Sequence, residues 1–504
     1  MQATTPSILI RGVGVLDPDH PDQWRAAMDI GIEHGRITLV APSGSAAPET
    51  GRWDSTLDGT GRLIMPGLIN AHCHSYESFT RGMIVNRPGG LWALYGHPVI
   101  GVGRQDARAV YVRTAAAAIE MVRRGITTVF DDVSLFFDYR IELVEAVLRA
   151  YRDVGMRALV AIKVMDKRLE NTLPLTDVPP EWAQALAAVR VPSTDEAIDF
   201  SRACFELSRP DDRVRGGVTP SAPQRSTDSL LRAQFDLASR ATFPFFIHVQ
   251  ETRLQWKQGP ALYGHSMIMH LDRLGVLAPP TGIIHGVWLD HADIDALARS
   301  GASVIHNPVS NLRLGSGIAP VRRLLQAGVN VMLGSDGTAS SDALCILDAM
   351  KVATLLPSIA RPEYEDWLTP VEAYQLATRN TGLFAYNGEV GTIATGLKAD
   401  LVMLNSRSPG FRPMNLPINQ LVYCAPCIDI ETVIADGRIL MHDGRIETVD
   451  EDAIVCEFAE FARGYRETID KTFAIARRLE RHWRGMYMKF ADDEPAISPA
   501  FERP

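Results

Sequence analysis

Eight short apolar runs, each closing on polar residues, punctuate the middle of the chain. They are "GLINAHCH", "GITTVFDD", "MRALVAIKVMD", "VRGGVTPSAP", "FPFFIHVQE", "GIIHGVWLD", "ASVIHNPVS" and "VNVMLGSDG". A run without polar alternation must be buried on both faces, as in a parallel sheet. Between most of them lie stretches such as "QDARAVYVRTAAAAIEMVRRG" and "DYRIELVEAVLRAYRDVG", whose apolar residues recur at helical spacing. Strands alternating with helices define an α/β protein, and eight such units close into a (β/α)8 barrel. The segment 166–213 is longer than a connection and is expected to form a lid over the barrel mouth.

The two chain ends have another texture. "SILIRGVGVLDPDHPDQWRAAMDIGIEHGRITLVAPSG" near the start and "GLKADLVMLN" and "IDIETVIADGRILMHDGRI" near the end read as short strands broken by turns. "EHGRI" (33–37) and "ADGRI" (435–439) even look alike. The expected layout is a small β domain from residues 1–64 and 389–450, with a barrel over 65–388 inserted between its halves. Residues 451–504 add an amphipathic helix and a polar tail, "ADDEPAISPAFERP", with the composition of a disordered segment.

The chain has 504 residues, 46% hydrophobic and 22% charged, as ordinary globular proteins do. A net charge of −9 argues against nucleic acid or an anionic membrane surface as partner. No apolar run is long enough to span a membrane, and the N-terminus does not read as a signal peptide, so a cytoplasmic location is expected. Six cysteines do not make a disulfide framework, and Cys424-X-X-Cys427 lacks the second pair that a zinc knuckle needs.

Residues i and i+2 of a strand share a face. His72 and His74 therefore point the same way from the end of the first run, while Cys73 turns outward. Two converging imidazoles suit a metal, although two unrelated histidines would read the same. Other strand ends carry His248, His285, His306 and Asp336. A barrel gathers those ends at one rim, where its chemistry lies. Glu251 follows His248 by three residues; where the chain turns over the mouth, its carboxylate could move protons between water and a leaving nitrogen. His265 and His270 are five apart, poor spacing for one helix face, and are not expected to bind metal.

In combination, "PGLINAHCH", "HVQE", "HGVWL", "HNPVSNLRLGSGIAPV", "GSDG" and "GTIATGLKADLVML" resemble the amidohydrolase superfamily. The nearest branch contains triazine hydrolases, chlorohydrolases, and guanine and adenosylhomocysteine-type deaminases. That resemblance implies a distorted (β/α)8 TIM barrel beside a composite β-sandwich built from both chain ends. It implies one divalent metal, zinc or alternatively iron, held by His72, His74, His248 and Asp336. His285 would hold the attacking water or polarise the scissile group, Glu251 would shuttle the proton, and Asp336 would also orient the water. Binuclear relatives use a carboxylated lysine on the fourth strand; "VRGGVTPSAP" has none, and Lys163 lies on the third.

The substrate residues depart from the family pattern. Ser221 stands where many deaminases have histidine, Ser341 and Asp342 where asparagines are common, and Asn86 where an aspartate is. Trp92, Tyr95 and His97 are candidates for the pocket wall, with core packing the stronger reading for the last two. Gln224 and Arg225 could meet an oxo or anionic group, and His306 would support the site from behind. The expected activity is hydrolysis of a C–N bond in a nitrogen heterocycle, most simply deamination. The alternative is amide, urea, carbamate, cyclic imide or C–Cl cleavage at the same site; a non-enzymatic scaffold is the remote one. The expected partner is a small-molecule substrate, and a homodimer or larger homo-oligomer is the base-rate assembly.

Overall fold

In the computed structural model, the eight apolar runs form parallel strands ringed by helices. They are Leu68–Cys73, Ile126–Val133, Arg157–Lys163, Val214–Thr219, Phe245–Val249, Thr281–His285, Ser303–His306 and Val331–Leu333. The structure describes residues 6–21, 24–45, 53–98, 100, 102–168, 179–207, 213–490 and 497–501. Strand side chains such as Val129, Leu159, Ile247, Ile283 and Val304 are buried, as strands covered on both faces require. The helix Ala107–Arg123 begins at Asp106, whose carboxylate accepts from the amides of Arg108 and Ala109 at 2.7 and 3.1 Å.

The barrel is distorted in a specific way. Strands one to four form one hydrogen-bonded sheet and strands five to eight another. Each seam is bridged by a backbone bond at the strand ends. The amide of His248 donates to the Ser221 carbonyl at 2.9 Å, and that of Asp336 to the His72 carbonyl at 3.0 Å. Deeper in the second seam, Asn70 and Ser335 exchange side-chain and backbone bonds of 2.8 and 3.0 Å.

Both chain ends meet in one nine-stranded mixed sheet. The junction is antiparallel, with Leu401 opposite Pro66 and Asn405 opposite Arg62. Its apolar face has its own core, including Ile8, Ile30, Ile64, Leu401 and Ile434. The two similar pentapeptides are hairpin turns: His34-Gly35 and Asp436-Gly437 all have positive φ, 52°, 77°, 52° and 72°, as two-residue turns between twisted strands demand. The turns pack on each other, and a Cβ on Gly437 would lie 2.7 Å from the Gly35 Cα. A buried ion pair ties the sheet to the barrel: Arg157 Nε lies 3.0 Å from Asp400 Oδ2, and its Nη2 2.8 Å from Asp436 Oδ1.

The segment expected as a lid contributes helices Pro180–Ala187 and Thr194–Glu206; its residues 169–178 and 208–212 lie outside the described residues. The C-terminal helix runs from Glu451 to Phe490. It is fastened to the barrel by Arg123–Glu451, Arg108–Glu457 and Arg87–Glu480 ion pairs of 2.5, 2.5 and 3.0 Å and by stacking of Phe79 on Phe458 and Tyr465. Part of the tail read as disordered is instead ordered. Ile497 bridges to Ile318, and Ser498 and Ala500 bond the Leu289 carbonyl at 2.7 and 3.2 Å. The apolar Ile497 and Ala500, diluted among charges in the sequence, supply the packing; residues 491–496 and 502–504 lie outside the described residues. Among the described residues no helix is long and apolar enough to cross a membrane.

Candidate metal centre and active site

His72 and His74 leave the first strand on one side, while Cys73 turns away to Asp131, 3.6 Å from its Sγ. Both imidazoles face Asp336, with Nε2 to Oδ1 distances of 3.6 and 3.2 Å. His248 joins them, its ring centroid 5.0 Å from that of His72. Nδ1 of His74 lies 2.8 Å from the Asp132 carbonyl and Nδ1 of His248 lies 3.0 Å from the Ser221 carbonyl. A carbonyl accepts only, so each Nδ1 carries the hydrogen and each Nε2 keeps a lone pair for a cation. The site thus straddles both seams, taking His72 and His74 from one half-sheet and His248, His285 and Asp336 from the other.

The backbone leaves the ladder at these ends. Ser221, Gln250, His285 and Asp336 have φ of 67°, 50°, 74° and 62°, a region that non-glycine residues rarely occupy and that concentrates at functional sites. At Gln250 the consequence is direct. The turn buries its amide against Trp288 and Asp293 and swings Glu251 into the mouth. The Glu251 amide donates to Gln255 Oε1 at 2.8 Å. His285 Nε2 then stands 4.0 Å from Glu251 Oε2 and 3.9 Å from Asp336 Oδ2, with Nδ1 2.9 Å from Asn311 Oδ1.

Burial holds the imidazoles neutral. It pushes His72 down to about 4 and sends His74 and His248 well below the usual range, with the Lys163 charge adding to the last two. Burial alone would raise Asp336, but the His72 and His74 imidazoles that face it hold its carboxyl well below the carboxylate range. Neutral imidazoles around an ionised carboxylate are the donor set of a zinc- or iron-type site. His72 Nε2 is buried without a hydrogen-bond partner, which a coordinated cation would supply. Two groups of potential ligands, His72–His74–Asp132–His248 and His72–His285–Asp336, each have their atoms within 4.8 Å of one another. This is a divalent-metal site.

Asp132 escaped the sequence reading. Asp132 ends the second strand, is pushed up to about 7 by burial, and lies 3.7 Å from Lys163 Nζ. Neither of its oxygens has a hydrogen-bond partner. Alternation distinguishes it from Asp131, which turns outward to the Ser75 amide and the Tyr151 hydroxyl at 2.9 and 2.8 Å. Lys163, set aside on the third strand, reaches the same cavity.

A cavity of about 160 Å³ opens above these groups. His248, Glu251, Trp92, His97, Gln224 and Arg225 all line it. Trp92 donates its indole N–H to the Ala339 carbonyl at 2.9 Å, and Gln224 accepts from Gln255 at 3.2 Å. Arg225 occupies the space beside Ser221, donating to its hydroxyl at 3.2 Å. Tyr95 points away to Glu480, 2.5 Å from its hydroxyl. His306 lies behind the site, buried and pushed down to about 3. Ser341 and Asp342 hold loops instead, through the Gly337 carbonyl and the Arg313 guanidinium, both at 2.9 Å.

The profile of the amidohydrolase family matches residues 63–440, and the chain belongs to that family. Within it the chain is an aminohydrolase, a deaminase, as its similar relatives are. It is 35% identical to a 5'-deoxyadenosine deaminase of Methanothermobacter thermautotrophicus, over 90% of this chain and 98% of the relative. It is 36% identical to a 5-methylthioadenosine/S-adenosylhomocysteine deaminase of Thermococcus kodakarensis, over 86% and 94%. Among solved structures, an adenosine deaminase of Xanthomonas campestris with bound zinc matches with a TM-score of 0.79 and 25% identity, over 92% and 98% of the two chains. Zinc-complexed atrazine chlorohydrolase of Arthrobacter aurescens shares the fold, with a TM-score of 0.81 and 23% identity over 90% and 100%.

Proposed function

We propose that this chain hydrolyses the exocyclic amino group of an adenine nucleoside altered at its 5′ position, using one zinc ion, with iron as the alternative. The observation that carries the reaction is the grouping of Glu251, His285 and Asp336 beside three neutral imidazoles, where Glu251 and His248 line the cavity. The substrate class is supported by relatives matched over nearly their whole length.

His72, His74, His248 and Asp336 would hold the metal. Such a cation lowers the pKa of water from 15.7 to about 7. The residues do the rest. His285, fixed by Asn311, positions the attacking water between Asp336 and Glu251. Glu251 takes a proton from that water and gives it to the departing nitrogen, so ammonia leaves rather than an amide ion. Water adds to the ring carbon, its second proton passes to the adjacent ring nitrogen, and the C–N bond breaks, leaving an oxo group and one ammonia per turnover. Trp92, Gln224 and Arg225 line the path by which the base enters.

The test is metal analysis of the purified chain beside ammonia release from adenosine, 5′-deoxyadenosine, 5′-methylthioadenosine, guanine and a chlorotriazine. About one zinc or iron per chain, with ammonia from the adenine nucleosides, is expected. Chloride or amine release without ammonia would overturn the assignment.

A further inference from the structure

Glu251 reaches the mouth because the residue before it breaks the strand pattern. His248 faces the metal centre, and strict alternation along the fifth strand would turn Glu251 away. Gln250 reverses this with a left-handed backbone, φ 50°. A residue with a Cβ keeps that conformation only where its surroundings over-determine it. At Gln250 they do, through residues of the helices and the turn that follow the fifth and sixth strands.

The side-chain amide of Gln250 is fully buried. Its Nε2 donates to the Trp288 carbonyl and, at 2.9 Å, to Asp293 Oδ2, and its Oε1 accepts from the Ile268 amide at 3.3 Å. The Gln250 carbonyl accepts from the amides of Val287 and Trp288 at 3.1 and 2.9 Å. Asp293 gathers these ties. It is itself fully buried, and its carboxylate also accepts from Ser266 Oγ at 2.5 Å and from the Asp290 amide at 3.2 Å. Ser266 caps the helix Met267–Leu274, and Asp293 completes the capping box of the helix His291–Ser300. One carboxylate thus locks the turn that carries Glu251 to the first turns of two helices.

Two features tie this lock to the proton shuttle and not to the metal. His248, the metal ligand on the same strand, is oriented independently, with Nδ1 3.0 Å from the Ser221 carbonyl. A carboxylate that passes a proton between water and nitrogen works only within hydrogen-bond reach, so a displacement of about 1 Å disables it. Resting on the assignment of Glu251 as proton shuttle, we infer that Asp293 is a positioning residue for the deamination: through Gln250 it holds the Glu251 carboxylate in line with the attacking water.

The test uses the zinc-loaded full-length chain and the variants Asp293→Asn and Gln250→Met, each alone and combined with Glu251→Gln. Zinc content is measured, with kcat and KM for ammonia release from 5′-deoxyadenosine and 5′-methylthioadenosine. Asn keeps the shape of Asp293 but sets an N–H₂ among its donors; Met keeps the length of Gln250 but drops its amide. The two break one link from opposite ends, so a folding defect in one leaves the other to decide. Each alone should lower kcat about 10- to 100-fold, with KM and zinc content close to those of the unaltered chain. In the Glu251→Gln background each should cost little more, because the group they position is already disabled. Unchanged kcat, loss of zinc together with activity, or the same further loss in the Glu251→Gln background would overturn the positioning role and leave the shuttle assignment intact. Full activity of Glu251→Gln would overturn the shuttle assignment, and no ammonia from either nucleoside would overturn the deaminase reading; each would remove the positioning role with it.

Discussion

The left-handed backbone at Gln250 turns Glu251 into the mouth, where plain strand alternation would have faced it away. Its carboxylate is the group placed to move a proton. Glu251→Gln should retain metal but lose on the order of a thousandfold in kcat; near-normal turnover of metal-loaded protein would remove it from the mechanism. Asp132 lies among the histidines with no hydrogen bond to either oxygen. Asp132→Asn should weaken zinc binding by about 10- to 100-fold, read by chelator competition; unchanged affinity would leave it only as the counter-ion of Lys163. The pH response follows from His72, whose folded pKa is lowered by burial to about 4. A lowered folded pKa keeps the imidazole neutral above about 4. Metal content after dialysis should therefore stay flat from pH 8 toward 5 and fall as the pH drops through about 4. A midpoint near 6.5 would show imidazoles exposed to water.

At the level of elements, the base of the third strand is pinned to the composite sheet by Arg157, which is fully buried and meets Asp400 through two nitrogens at 3.0 and 3.2 Å. Without Asp400 the buried Arg157 keeps only the partly exposed Asp436 as counter-charge, so Asp400→Ala should cost about 3 kcal/mol. Replacing both partners by apolar residues, Arg157→Met with Asp400→Leu, should recover much of it. Thermal unfolding of the two variants checks this; equal loss in both would mean that packing, and not charge, dominates the junction.

For the whole molecule, the metal site lies between two half-sheets that share few other bonds at their rims. A cation held by His72, His74, His248 and Asp336 would link the two sheets. Ligand held at about a thousandfold above its Kd contributes about 4 kcal/mol to the folded state. Chelation should lower the melting temperature, and added zinc should restore it; a chelator-insensitive transition would place the metal outside the stability of the barrel.

The sequence determined what local periodicity and local chemistry can carry. Uninterrupted apolar runs required strands buried on both faces, their number required closure, and His72 and His74 had to share a face. The Gly35 and Gly437 turns were legible because two-residue hairpins demand positive φ. Tertiary structure decided what depends on contacts between distant segments. Asp132 and Asp131 are chemically identical neighbours on opposite faces of one strand, and only the packing of the barrel decides which face meets the histidines and which meets Tyr151. Amphipathic spacing announced the C-terminal helix but not its destination, because an apolar stripe specifies that it must be covered and not by what. The ordered Ile497–Phe501 segment was hidden for the same reason: its apolar residues are too few to register as a pattern until the barrel presents the surface they fill.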